Sequence, residues 1–269
     1  MQPCLSNVST LPSSFHDDVV GYSGAGCRTM EVWFTKLENH ITATGVADAR
    51  ALLSDYGMSL AAGAYQGGLL LSEGAARASA LDLFKRRLEL CQQLVIPTLL
   101  LVADFASAMD QSTLGRALQN LVEAGRWASG YGVRIALEFR GADTFCTSLD
   151  TALALVLQAQ EANVGLCLDL FHYYKGPSKP EDLQALSTAS LFHVQVCDVA
   201  GIPRELMTDA DRILPGEGDF HYGELLTTLR RIGYTGAVSV ELMNPVVWKA
   251  DPYQVAEMAM TSLKRLLTS

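Results

Sequence analysis

Eight short apolar runs, separated by longer stretches of helical period, recur along this chain from end to end, and this rhythm constrains the fold more than any single motif. The runs are "PCLSNV" (3–8), "RTMEVWF" (28–34), "MSLAAGAY" (58–65), "PTLLLVAD" (97–104), "VRIALEF" (133–139), "VGLCLDL" (164–170), "LFHVQVC" (191–197) and "AVSVEL" (237–242). Between them lie amphipathic segments such as "ALDLFKRRLELCQQL", "LGRALQNLVEAGRWASG" and "YGELLTTLRRIG", several of which end in glycine just before the next run, as a capped helix does. Eight βα units in 269 residues have the dimensions of a single (β/α)8 barrel, and no linker divides residues 1–269 into smaller domains. An open doubly wound sheet is the competing arrangement, but no GxGxxG turn follows the first run.

In such a barrel the outward side chains of each strand lie beneath helices and must be apolar, whereas inward ones near the C-terminal end face the open mouth. Alternation then places Val133, Ile135, Leu137 and Phe139 outward and Glu138 inward near the mouth. It places Asp169 likewise in the sixth run, between Leu168 and Leu170, and Glu241 in the eighth, between Val240 and Leu242. In the seventh, Phe192, Val194 and Val196 face out, so that His193, Gln195 and Cys197 face in, with Gln195 one layer nearer the mouth. Three converging carboxylates repel one another and are costly to bury, which calls for positive charge among them. A divalent cation, Mn²⁺, Mg²⁺, Co²⁺ or Zn²⁺, supplies it with carboxylate, amide or imidazole ligands. The alternative is a metal-free polar plug in which Arg134, Arg140 or Arg212 pairs with the acids.

Composition narrows the function classes. A hydrophobic content of 49% with 18% charged residues describes a well-packed globule, and a net charge of -9 offers no overall positive field for nucleic acid or an anionic membrane. The six cysteines form no CxxC pair and sit in apolar surroundings, which points to reduced thiols in a cytoplasm. The opening "MQPCLSNVST" has neither the basic start nor the apolar stretch of a signal peptide, and no segment is apolar for long enough to span a bilayer.

Over nearly its full length, and through "YGVRIALEF", "NVGLCLDLFH", "TDADRILPGEGDFHYGEL" and "SVELMNPVVWK" in that order, the chain resembles the xylose isomerase-like TIM-barrel superfamily, most closely the inosose (2-keto-myo-inositol) isomerases. The resemblance implies metal ligands at Glu138, Asp169, a strand-seven position and Glu241. The family ligand on strand seven stands three residues before an aspartate, here Asp198, and so falls on Gln195, with His193 one layer deeper. Many inosose isomerases carry histidine there, whereas 3-dehydroshikimate dehydratases are similar to this chain in using glutamine. By the same resemblance His172 contacts substrate and takes part in catalysis, Arg212 reaches a substrate oxygen with Arg204 as competing candidate, and Gly216 and Gly218 shape the loop around it. Glu31 and Trp33, inward on the second run, and Lys249 beyond the last either line the pocket or serve the structure.

The implied chemistry is aldose-ketose or epimer interconversion of a small, polyol-derived carbonyl compound through a metal-stabilised enediolate, with Glu138 and Glu241 as both ligands and proton carriers. With a leaving hydroxyl β to the carbonyl the same site eliminates water, the dehydratase alternative. The superfamily's abasic-site endonucleases need additional histidine and acidic ligands and a basic DNA-facing surface, whereas of the five histidines here only His172 and His193 lie near the mouth and the net charge is -9; a non-catalytic barrel is the remaining alternative. Homodimers or homotetramers are the assemblies the resemblance implies.

Overall fold

The structure is a computed structural model and describes residues 1–105 and 109–268. Every apolar run forms a strand: β1 Gln2–Ser6, β2 Thr29–Trp33, β3 Ser59–Gln66, β4 Thr98–Val102, β5 Arg134–Glu138, β6 Val164–Asp169, β7 Leu191–Val196 and β8 Ala237–Val240. They close into a barrel in the order β1 to β8, as the βα rhythm predicts. The helices are α1 Phe15–Gly24, α2 Phe34–Thr44, α3 Val46–Asp55, α4 Gly74–Leu94, α5 Gln111–Ser129, α6 Leu149–Ala159, α7 Leu170–Lys175, α8 Gly223–Arg231 and α9 Pro252–Thr268. Among the described residues no helix is long and apolar enough to cross a membrane. The backbone groups into two compact units, Met1–Gly63 with Val194–Ser269, and Ala64–His193, whose boundaries fall inside β3 and β7.

In the unit Ala64–His193, β4 pairs in parallel with β5 from Thr98 opposite Arg134 to Val102 opposite Glu138, and β5 pairs with β6. Val133, Ile135, Leu137 and Phe139 are all buried, as are Leu166, Leu168 and Leu170, which fits their expected place beneath the helices. Arg134 donates to Thr98 Oγ1 at 3.0 Å and lies 4.7 Å over the Phe192 ring, so it serves the strand starts and not the acids at the strand ends. Gly165, on the same face as Glu138, leaves room for Phe192, whose ring a Cβ there would strike, so this ring lies on the inner face and not outward as alternation has it.

In the other unit, β1 pairs with β8 and β2, and β8 with β7, Gln195 standing opposite Ser239. A short turn at Asn7–Thr10 follows β1 and is tied down by a buried ion pair that the apolar pattern does not reveal. Lys36 Nζ donates to the carbonyls of Asn7 (3.0 Å) and Thr10 (2.6 Å) and pairs with Asp18 at 2.5 Å. Burial raises the Asp18 carboxyl and lowers the Lys36 amine, while each partner's charge opposes the shift. From this turn Ser9 Oγ donates to Val240 O (3.3 Å) and accepts from Leu242 N (2.9 Å), holding the backbone on both sides of Glu241. All six cysteines are buried and in no disulfide, and burial pushes Cys91 and Cys146 up to about 12.

Candidate active site

The inward positions of β5 and β6 bring Glu138 and Asp169 together at the strand ends, and α7 starts at once from Asp169. Asp169 Oδ1 accepts the Phe171 N–H at 2.8 Å, so this carboxylate caps the short helix that carries His172. The cap turns the imidazole back: His172 Nε2 lies 3.7 Å from Glu138 Oε1 and 3.7 Å from Asp169 Oδ2. That separation exceeds a hydrogen bond, but the three donor atoms lie within 4.8 Å of one another and all three residues are buried. Two close-approach glycines hold α7 in place. A Cβ at Gly141 would strike the backbone of His172 and Gly176, and one at Gly176 would strike Thr147 O.

Two carboxylates and an imidazole at this spacing have the chemistry of a divalent-metal donor set, suited to Mn²⁺, Co²⁺ or Zn²⁺ and less to an all-oxygen site for Mg²⁺. The residues therefore fit the ion that the sequence calls for. The imidazole in that set goes beyond the reading of the sequence, which gives His172 to substrate; the structure places it as near as a ligand. Arg140, offered above as a partner for the acids, instead stands 3.9 Å from Asp143.

In the unit Met1–Gly63 with Val194–Ser269, Gln195 lies between two acids. Its Nε2 donates to Glu31 Oε1 and to Glu241 Oε1, both at 3.0 Å, and Ser6 Oγ donates to the same Glu31 oxygen at 2.8 Å. Arg212 Nη1 donates to Glu241 Oε2 at 3.0 Å, while its Nε and Nη2 grip Asp209 Oδ1 at 3.0 and 2.7 Å. The guanidinium is only 1% exposed. The pairing of Glu241 with Arg212 is thus the one the sequence allowed for, and it coexists with the amide. Asp209, three residues before Arg212 in a 3-10 turn, escapes the sequence because its role depends on loop shape.

The loop that delivers Arg212 folds around Asp198. This buried carboxylate accepts from Val199 N (3.0 Å), Gly216 N (2.9 Å) and Phe220 N (2.9 Å), and its backbone bridges Ile213. Gly216 has φ +82°, a conformation glycine adopts without strain, and Gly218 packs so tightly on Asp198 that a Cβ has no space. His193 is buried on β7, Trp33 is half-buried, and Lys249 is exposed after β8, as is Arg204.

Residues 22–266 match the family described as xylose isomerase-like TIM barrel. The chain belongs to that family. An inosose isomerase of Halalkalibacterium halodurans is 32% identical over 180 residues, covering 65% of this chain and 64% of the relative. A 3-dehydroshikimate dehydratase of Pseudomonas aeruginosa is 25% identical over 256 residues, 91% of this chain but 38% of the relative. The matches thus span less than two thirds of the length of these relatives. A crystal structure of the IolI protein with a bound zinc atom superposes with a TM-score of 0.94 at 24% identity, covering 100% of this chain and 98% of that one, which establishes the shared barrel.

Proposed function

We propose that this protein is a divalent-metal-dependent sugar isomerase or epimerase, acting on a ketose, an inosose or a related polyol-derived carbonyl compound. The observation that carries the reading is the buried group of Glu138, Asp169 and His172, with donor atoms within 4.8 Å of one another. The inosose isomerase named above supports the substrate class, and the zinc in the IolI structure supports the ion. Glu138 and Asp169 are proposed as ligands, with Gln195 and Glu241 added on the strength of the family pattern. We take residues 1–269 to act as one barrel domain, supported by the extent of the family match.

A bound divalent ion supplies electrophilic stabilisation to negative charge developing on a carbonyl oxygen. The chain's own groups do the rest. A carboxylate, Glu138 or Glu241, takes the proton α to the carbonyl and returns it to the neighbouring carbon while the hydroxyl proton passes to the former carbonyl oxygen, or returns it to the opposite face of the same carbon to give the epimer. The imidazole of His172 hydrogen-bonds the oxygen that gains charge. Arg212 holds Glu241 Oε2 and is proposed to reach a substrate oxygen, with Lys249 as a further contact from the rim. The substrate is a small carbohydrate-like molecule, we assign the enzyme to the cytoplasm from its reduced thiols, and a homodimer or homotetramer is the proposed assembly.

The glutamine at position 195, together with the likeness to a 3-dehydroshikimate dehydratase, favours a second reading in which the same proton abstraction ends in loss of a β-hydroxyl. Both are tested by proton NMR in D2O with 2-keto-myo-inositol, a ketohexose panel and 3-dehydroshikimate, using protein loaded with Mn²⁺ that is removed before detection. Deuterium entry α to a carbonyl, abolished in Glu241→Gln, is the expected result, and the product separates isomerase from dehydratase. Unchanged substrates in every case, with metal-loaded protein, would count against proton abstraction altogether.

A further inference from the structure

Gln195 faces two carboxylates, and chemistry decides how its amide must turn. Ionised Glu31 and Glu241 only accept hydrogen bonds, so the NH2 edge points at them, one proton to each, and Oε1 lies on the opposite edge. Glu31 is fully buried on β2, and the Ser6 hydroxyl donates to the very oxygen that receives the amide.

We infer that Glu31 is a positioning residue: it locks the Gln195 amide so that Oε1, and not Nε2, is presented as a metal ligand. This inference rests on the metal reading above. It also gives a physical reason for glutamine instead of histidine at this position. An imidazole that gives one nitrogen to a metal retains a single N–H donor. An amide that gives its oxygen retains two, and two buried acids stand ready to receive them. Glu31 and Gln195 are then a matched pair, in which a carboxylate beyond the ligand fixes its orientation as carboxylates do for metal-bound histidines.

The test begins without metal. In the 1H–15N spectrum of the metal-free protein, the Gln195 side-chain NH2, assigned by its loss in Gln195→Met, is expected to show both protons shifted downfield. In Glu31→Met one of the two moves back while the proton on Glu241 stays. Co²⁺ affinity, measured by chelator competition, is then expected to fall about 10–100-fold in Glu31→Met, with a changed visible spectrum of the bound Co²⁺. Glu31→Gln, which keeps shape and a weaker acceptor, is expected to fall between wild type and Glu31→Met and guards against a folding defect. In a Gln195→Met background the Glu31→Met change should alter Co²⁺ affinity little.

Equal losses in both backgrounds, or an unshifted NH2, would overturn the positioning role, because Glu31 would then act by charge or packing alone. Wild-type protein that takes up no Co²⁺ would instead overturn the metal reading and this inference with it. The two failures are thus told apart by the wild-type titration.

Discussion

At the level of single residues, Glu241 is held from three directions: the Gln195 amide on Oε1, the Arg212 guanidinium on Oε2, and Ser9 on the backbone either side. The Arg212 to Glu241 pair is buried at both ends, whereas Asp209, the other partner of Arg212, has a side chain 36% exposed. Removing one member of a buried pair leaves the other charge without its counterion. Arg212→Met is therefore expected to cost about 3–5 kcal/mol of unfolding free energy, measured by urea denaturation. Asp209→Asn acts at the solvated end and is expected to cost about 1 kcal/mol or less. Equal costs would mean that Asp209, not Glu241, is the partner that anchors the guanidinium. The inward placement of Glu138, Asp169, Gln195 and Glu241 was legible in the sequence, because each is a polar residue alternating with apolar ones, while their choice as ligands came from the family resemblance. Ser9, Ser6 and Asp209 were not, since each acts from a turn or strand end whose direction no periodicity encodes.

Secondary structure elements were legible by existence and less so by extent. Phe139, Cys197 and Leu242 are buried, yet they lie past the last residues of β5, β7 and β8, because the apolar run continues into the loop after the strand has ended. The Asn7–Thr10 turn and its Lys36 to Asp18 clamp were invisible for the opposite reason: both charges lie within helical segments, where a charge ordinarily signals solvent. One helix carries its own pH dependence. Asp110 begins α5 by accepting from Thr113 N, Thr113 Oγ1 and the Ser112 hydroxyl, and these bonds hold its carboxyl well below the usual carboxylate range. A carboxyl depressed in the folded state stabilises the fold above its unfolded value, near 3.8, and loses that contribution as pH falls through the folded value. Asp110→Ala is thus expected to lower Tm at neutral pH, with the gap from wild type closing as the solution is acidified. A gap independent of pH would show that the capping charge contributes nothing.

For the whole molecule, the eightfold rhythm was enough to read the barrel, whereas the substrate was not legible. The loops after β6 and β7 take shapes set by local devices such as the Gly141 to Gly176 contact and the Asp198 hub, which no periodicity encodes. Metal binding, by contrast, acts on the stability of the folded chain as a whole, since the unfolded chain does not hold Glu138, Asp169 and His172 within 4.8 Å. With free metal at about 100 times Kd, linkage adds about 2.7 kcal/mol. In a chain of this size that amounts to a rise of about 5–10 °C in Tm. Thermal melts of chelator-treated protein with Mn²⁺, Co²⁺, Zn²⁺ or Mg²⁺ added back are expected to show this rise, reversed by chelator and absent in Glu138→Gln. The order among the ions carries further information. A stronger response to Zn²⁺ and Co²⁺ than to Mg²⁺ would place the His172 imidazole among the ligands, because nitrogen favours those ions. A His172→Asn variant that keeps the full wild-type shift would return His172 to the substrate, as the sequence has it. No shift with any of the four ions would sink the metal reading of the site.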